Sequence, residues 1–377
     1  MRNKHILIFL FFCPFHPVQA QDSLLFRGQL SSWINLNGTT ALPVWTGGRY
    51  IPQVKSSHTS ASSLFDMEFS ANIVGSAGIH PFDSVHAEGQ IQPYRAWMRF
   101  SSHQFEIRLG LQKINFGSAT MLRPLMWFDR MDPRDPLQLT NGVWGMLSRY
   151  YFLNNVNAWL WVLCGNHDPR GWDPVPTRKW TPEIGGRLQL PVPLGEVAVS
   201  YHHRTADNST LNDMLQRYDR IPEHRIGFDA KWDLEAGVWI EGSWTRKSKN
   251  IGIFTHQEIL DAGIDYTFSL GNGLYTAYEH LLVASDEKAF AFMNRTSFSL
   301  VTFSYPVGLF DKLSLIAFYN WTGRKLYNFL SWQKQYDNIT LYLMAYWNPE
   351  QYQLPALTLS QDLFSGKGIQ LMFVLNH

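Results

Sequence analysis

The chain has 377 residues and a formal net charge of +1, with 32 basic side chains against 31 acidic. That balance implies neither nucleic acid nor a polyanionic surface as a partner, and charged residues reach only 17%, below the roughly 25% of a soluble domain. Aromatic residues reach 15%, yet beyond the N-terminal segment no stretch approaches the roughly 18 apolar residues of a membrane-crossing helix, which excludes a helical membrane protein.

Arg2, Lys4 and His5 precede an apolar run from Ile6 to Phe12, and Val18 and Ala20 stand three and one positions before a cut at Gln21. These are the parts of a secretory signal peptide. Residues 1–20 are therefore expected to be removed, leaving 21–377 as one folded unit. Cys13 follows Leu10-Phe11-Phe12 without the small residue of a lipidation signal, so cleavage after Ala20 is the favoured reading. Only Cys164 then remains, and no internal disulfide can form.

From there a period of two runs along the chain. Residues 24–36 and, more weakly, 50–55 read as a first hairpin. Phe65, Met67, Phe69, Ala71 and Ile73 then interleave with Asp66, Glu68, Ser70 and Asn72. Phe105, Ile107, Leu109 and Leu111 interleave with Glu106, Arg108, Gly110 and Gln112; Ile184, Leu188 and Leu190 with Glu183, Arg187 and Gln189. Ile226, Phe228, Ala230 and Trp232 oppose Arg225, Asp229 and Lys231, and Ala262, Ile264, Tyr266 and Phe268 oppose Asp261, Asp265 and Thr267. Ile339, Leu341, Leu343, Ala345 and Trp347 follow the same rule. Many segments last about 10 to 14 residues, longer than is usual in a soluble sandwich and enough to cross a bilayer at a tilt.

Connections alternate between short ones, such as 101–104, 153–155, 191–195, 234–236 and 271–273, and longer ones at 37–48, 75–83, 118–140, 165–180, 205–221, 247–256, 284–289 and 349–365. Only 322–325 is short where a long one is due. Short turns at one end and long loops at the other are the pattern of an outer-membrane barrel, which predicts an all-β transmembrane antiparallel up-and-down barrel. Counting back from 368–375 predicts about eighteen strands, or sixteen if 50–55 is not one. A barrel that wide encloses water or a plug.

Two segments carry a resemblance. Tyr94-Arg-Ala-Trp-Met-Arg-Phe100 leading into Phe105-Glu-Ile-Arg-Leu-Gly-Leu-Gln-Lys-Ile-Asn-Phe-Gly117 resembles the Leu-Gly-x-Gln, aromatic-Gly strand of the 16- to 18-stranded porin and carbohydrate-exporter barrels of Gram-negative outer membranes. Lys367-Gly-Ile-Gln-Leu-Met-Phe373 is similar to their C-terminal assembly signal, departing from it in ending with Val374 to His377 in place of a terminal aromatic. The resemblance implies an outer-membrane porin-type channel passing small hydrophilic solutes, with outer-membrane lipid around it and homotrimer formation left open. Neither motif names a substrate.

By this count 118–140 is the third external loop, the one that in porins commonly folds inward and narrows the channel. It holds Arg123, Asp129, Arg130, Asp132, Arg134 and Asp135, while parity aims Arg95, Arg99, Glu106 and Arg108 at the lumen. A basic wall opposite a charged loop sets a transverse field that selects solutes by size and dipole; the bland reading is an external loop whose charges pair in solvent. The other lumen-parity charges have both signs: Asp66, Glu68, Glu88, Glu183, Arg187, Glu196, Arg204, Asp229, Glu241, Asp261, Asp265 and Arg295. No basic ladder emerges, so strong anion selectivity is not expected. Trp159, Trp180, Trp232, Trp244, Trp321 and Trp347 read as interface girdle residues, with sugar stacking as the alternative.

Catalytic patterns are weak. Gly165-Asn-His-Asp168 resembles one fragment of a metallophosphoesterase signature whose companion is missing, and His202 and His203 are adjacent, so a strand sends them to opposite faces. No nucleophile elbow, zinc-protease helix or phosphate loop occurs. The expectation is a non-enzymatic channel without cofactor or metal. An accessory barrel of a secretion or surface-assembly system, and a hydrolase at the barrel rim, are the alternatives.

Overall fold

Backbone inside lipid can satisfy its polar groups with strands only if the sheet closes on itself. The computed structural model describes residues 21–39, 42–60, 62–80, 83–211, 216–350 and 363–377; the expected signal peptide lies outside the described residues. The chain forms eighteen antiparallel strands. The first six are β1 (Gln21–Asn37), β2 (Val44–Ser60), β3 (Ser63–Ile79), β4 (Val85–Ser102), β5 (Phe105–Gln112) and β6 (Val143–Tyr151). Then follow β7 (Asn157–Leu163), β8 (Glu183–Val192), β9 (Gly195–Ala206), β10 (Ile221–Asp233), β11 (Gly237–Lys247) and β12 (His256–Phe268). The last six are β13 (Leu274–Asp286), β14 (Arg295–Pro306), β15 (Asp311–Asn320), β16 (Lys325–Gln335), β17 (Ile339–Trp347) and β18 (Lys367–Asn376). Each pairs with its chain neighbours, and β1 pairs with β18 from Gln29↔Asn376 to Asn37↔Gly368, which closes the ring.

The two faces are inverted relative to a soluble protein. Val199, Phe228, Ile240 and Leu260 are 45–55% exposed on the outer face, whereas their lumen-facing chain neighbours Ser200, Asp229, Glu241 and Asp261 are at most 2% exposed. Exposed apolar and buried ionic side chains suit an apolar solvent outside and a packed polar interior.

The second strand differs most from the sequence reading. Only 50–55 was expected of it, yet β2 spans 17 residues, and β1, β3 and β4 are equally long or longer. Residues 44–48 and 75–79 read as loop because of Gly47, Gly48, Gly75 and Gly78. In the sheet two of these glycines are covered: the Trp33 ring lies over its cross-strand partner Gly47, and Trp45 over Gly78. The aromatic partner supplies the contact that a glycine lacks. The first two external connections consequently shrink to 38–43 and 80–84, and the strand number is eighteen rather than sixteen.

One register shift, between Ser70 and Ala71, sets Ser70 opposite Arg95 and Ala71 opposite Pro93. The bulge turns Gln92 and Arg95 to the same face although two residues, Pro93 and Tyr94, stand between them. At the seam His377 exchanges backbone bonds of 2.9 Å with Gly28, and its ring stacks on Tyr50 with centroids 5.9 Å apart. An imidazole thus stands where the assembly signal has an aromatic ring.

Two parity assignments change. Trp159 faces the lumen, packing beside Phe116 under Arg149, and is not a girdle residue. Arg295 pairs with Ala284 on the outward row and does not face the lumen. The first expectation failed because β7 is only seven residues long, so its parity had little sequence to show it.

Candidate functional site

The connection 113–142 turns inward directly after β5. Gln112 is fully buried and its Nε2 donates to the carbonyls of Arg108 and Gly145 at 3.1 and 3.0 Å, pinning the exit from the strand. Gly117 follows at φ +109°, and any Cβ there would collide with the Glu241 carboxylate. Glycine therefore admits the backbone to close range of the far wall.

Two wall carboxylates hold the segment. Glu241 Oε2 on β11 accepts the N–H groups of Ser118 at 2.7 Å and Ala119 at 2.9 Å, and its Oε1 accepts that of Leu125 at 2.6 Å. On β13, Glu279 Oε1 accepts from Thr120 N at 2.8 Å, Thr120 Oγ1 at 2.6 Å and Met121 N at 3.0 Å, while Oε2 accepts from Leu122 N at 2.6 Å. Backbone donors inside a barrel need partners, and these two carboxylates supply them.

Aromatic packing completes the anchor. Phe116, Leu125, Trp127 and Phe128 are buried against Val143, Leu147, Trp161 and Leu163 of β6 and β7. Phe116 stacks on Trp161 at 5.6 Å, and Trp127 Nε1 donates to Ser243 Oγ at 2.9 Å. Gly227 makes the room: a Cβ there would strike Leu125.

The predicted charges divide into four groups. Arg123 and Asp129 pair at 3.4 Å inside the loop and are buried; Arg134 binds Asp132 through Nε at 2.8 Å and Nη2 at 2.7 Å. Arg95 fastens the loop's return, donating to the Thr140 carbonyl at 2.9 Å and hydroxyl at 3.2 Å. Arg99, Glu106 and Arg108 meet one another, not the loop: Arg99 grips Asp66 at 2.8 and 2.7 Å, and Glu106 receives Arg99, Arg108 and Arg149 at 3.4, 3.2 and 3.5 Å. Arg130 and Asp135 face open space.

That space consists of two cavities. One of about 400 Å³ lies against Trp33, Arg49, Gln90 and Tyr94, mostly in the loop-side halves of β1 to β4, and includes Arg130, Asp132, Asp135 and Pro136. The other, about 460 Å³, lies against Tyr275, Thr302, Ser304, Lys312, Ser314 and Gln333, mostly in the turn-side halves of β13 to β17. Asp135 and Pro136 line both. Burial pushes the Asp135 carboxyl up from its ordinary range, opposed by the Leu137 N–H and the Arg49 charge. Burial likewise lowers Lys113.

The opposite side of the lumen is filled. Connection 164–182 folds in so that Asp173 receives Arg204 at 2.9 Å and Arg225 at 2.5 Å, and both arginines also reach Glu223. Arg170 meets Glu183 at 2.5 Å, and His202 lies fully buried between Glu183 and Trp161. His203 faces outward, as adjacency requires. The sequence reading missed Arg49, Glu279 and this second inserted loop. Lumen parity was the available signal for Glu279, but nothing in its neighbourhood shows that its partners are backbone N–H groups more than 150 residues away.

No protein-family model matches the sequence, and no curated protein matches it. Solved structures do. OccAB1 of Acinetobacter baumannii is 10% identical with a TM-score of 0.55, the match covering 95% of each chain. OccD3 of Pseudomonas aeruginosa is 11% identical with a TM-score of 0.54, over 94% of this chain and 90% of that one. The outer membrane protein OmpT of Vibrio cholerae is 9% identical with a TM-score of 0.50, over 94% and 99%. At such identities the likeness is one of architecture, and the chain is built as the closed barrel of the Gram-negative outer-membrane porins.

Proposed function

We propose that the chain is an outer-membrane channel through which small hydrophilic solutes pass passively, narrowed by the third external loop. The observation that carries this reading is the pair of cavities meeting at Asp135 and Pro136, which the described residues leave beside β1 to β4 and β13 to β17. The path runs from the vestibule beside Arg49 and Arg130, past Asp135, to the hydroxyl- and amide-lined chamber of β13 to β17. Arg49 and Arg130 opposite Asp135 supply a transverse field at the waist. Arg99 and Arg108 lie outside this field because Asp66 and Glu106 neutralise them. One similar barrel, OmpT, is known in a trimer form, and a homotrimer is the assembly we propose here.

Planar-bilayer recording of the purified protein tests the reading. Discrete conductance steps are expected, and a silent bilayer overturns it. Deleting residues 127–135 should enlarge the step, since these residues reach the waist.

A second reading has a specific observation behind it: loops 113–142 and 164–182 together fill much of the lumen with paired charges. A plugged accessory barrel of a surface-assembly system would look like this. It predicts no conductance without a partner, and stoichiometric co-purification of a periplasmic or surface protein.

A further inference from the structure

The cavity of about 400 Å³ that the described residues leave beside β1 to β4 has two kinds of lining. One is aromatic. The Trp33 ring lies on the wall over Gly47, which has no side chain to push it away, so its other face turns inward. Arg95 covers one face of the Tyr94 ring at 4.0 Å, and the rest of that ring lines the same cavity.

The other lining consists of hydrogen-bonding groups that the protein does not use. Among the described residues no hydrogen bond or ion pair holds the guanidinium group of Arg49 or of Arg130. Asp135 receives the Leu137 N–H at 3.0 Å and has no ion pair among these residues. Gln90 donates to Gln92 at 3.3 Å, which leaves its own carbonyl oxygen to the cavity. Asp132, by contrast, is taken up by Arg134 at 2.7 Å.

This combination selects a class of ligand. A simple anion would meet Arg49 and Arg130 but also Asp135, and a cation would meet the reverse. An apolar solute would strip water from the guanidinium groups and return no hydrogen bond, which is costly. A sugar hydroxyl both donates and accepts, so arginine and carboxylate serve it together, while the C–H face of its ring packs on an aromatic surface. The volume lies at the small end of ligand pockets, the size for a mono- or disaccharide. Beyond Asp135 and Pro136 the second cavity continues the same chemistry with the hydroxyls of Thr302, Ser304 and Ser314.

We propose that this cavity binds a neutral saccharide, its ring against Trp33 and its hydroxyls shared among Arg49, Arg130 and Asp135. The proposal rests on the channel reading above for how the sugar arrives, but binding itself does not require conduction.

The test titrates the full-length protein in detergent with maltose and with lactose as neutral probes, and with glucuronate and glucosamine as charged ones, by isothermal titration calorimetry. At least one neutral sugar should bind about tenfold more tightly than either charged one, the loss expected when one hydrogen-bonding group is left without a fitting partner. Trp33→Ala should abolish the binding heat and Arg130→Ala should weaken binding, both keeping the heat-dependent gel shift of a folded barrel. If Trp33→Ala loses the shift, Arg130→Ala, which has no partner among the described residues to lose, is read alone. Absence of heat with both neutral sugars, equal or tighter binding of a charged one, or unaltered affinity in the folded variants overturns the proposal. In planar bilayers the bound sugar should interrupt the wild-type current and leave that of Trp33→Ala unbroken. Steady conductance without sugar binding refutes the saccharide site and leaves the channel standing; a silent bilayer with sugar binding intact refutes the channel and leaves the site.

Discussion

Glu279 accepts three consecutive backbone N–H groups and a hydroxyl with one carboxylate. Backbone donors buried in the barrel lose their partner if the carboxylate goes, so this residue and Glu241 are the polar fastening of the third loop. Glu279→Gln keeps the shape but replaces one acceptor by an NH₂ that confronts an N–H donor. Its single-channel record should become noisier, with excursions to higher conductance; a trace indistinguishable from wild type would show that the aromatic anchor suffices alone. Asp135 is the residue to titrate. Burial raises its carboxyl, so its charge disappears at a higher pH than that of an ordinary carboxylate. Cation preference should therefore fall on acidification while exposed carboxylates are still ionised, and Asp135→Asn should be flat across that interval. Reversal potentials under a salt gradient measure both. Identical pH profiles for the two proteins would remove Asp135 from the waist.

At the scale of elements, alternation explains the strands and also their solvent. Phe228 lies near the middle of β10, is 45% exposed and is flanked across the sheet by Val199 and Gly242. Phe228→Arg should destabilise the barrel by about 2 to 4 kcal/mol in lipid, read by urea unfolding in vesicles. A loss well below 1 kcal/mol would place this face against protein or water instead. Strand parity was legible along β3, β5, β8, β10, β12 and β17 because each writes it over several residues. It was poorly legible where a strand is short, as at Trp159 in β7, and where glycines imitate a loop, as in β2. The loops were legible only as lengths. That 113–142 folds inward depends on Gly117, Gly227, Glu241 and Glu279, residues spread over 160 positions whose relation appears only once the sheet has closed.

The molecule as a whole joins a uniform shell to an asymmetric interior. The shell is continuous around eighteen strands, while two inserted loops and their ion pairs fill one side and, among the described residues, cavities remain beside β1 to β4 and β13 to β17. Removing residues 127–135 should raise unitary conductance and relax size selection against polyethylene glycols of increasing mass; an unchanged cut-off would locate the narrowest point elsewhere. The sequence by itself determined the class of the fold, the membrane-facing surface and which loop to watch, because a two-residue period is a local property that each strand writes independently. Tertiary structure alone decided which charges pair and which line the cavities. Arg99, Glu106 and Arg108 neutralise one another and Asp66 across neighbouring strands, Arg95 closes the loop, and Arg49 with Arg130 and Asp135 lines the cavity beside β1 to β4. Whether a charge pairs or faces the path depends on what the barrel's closure brings opposite it, and no local pattern encodes that distance.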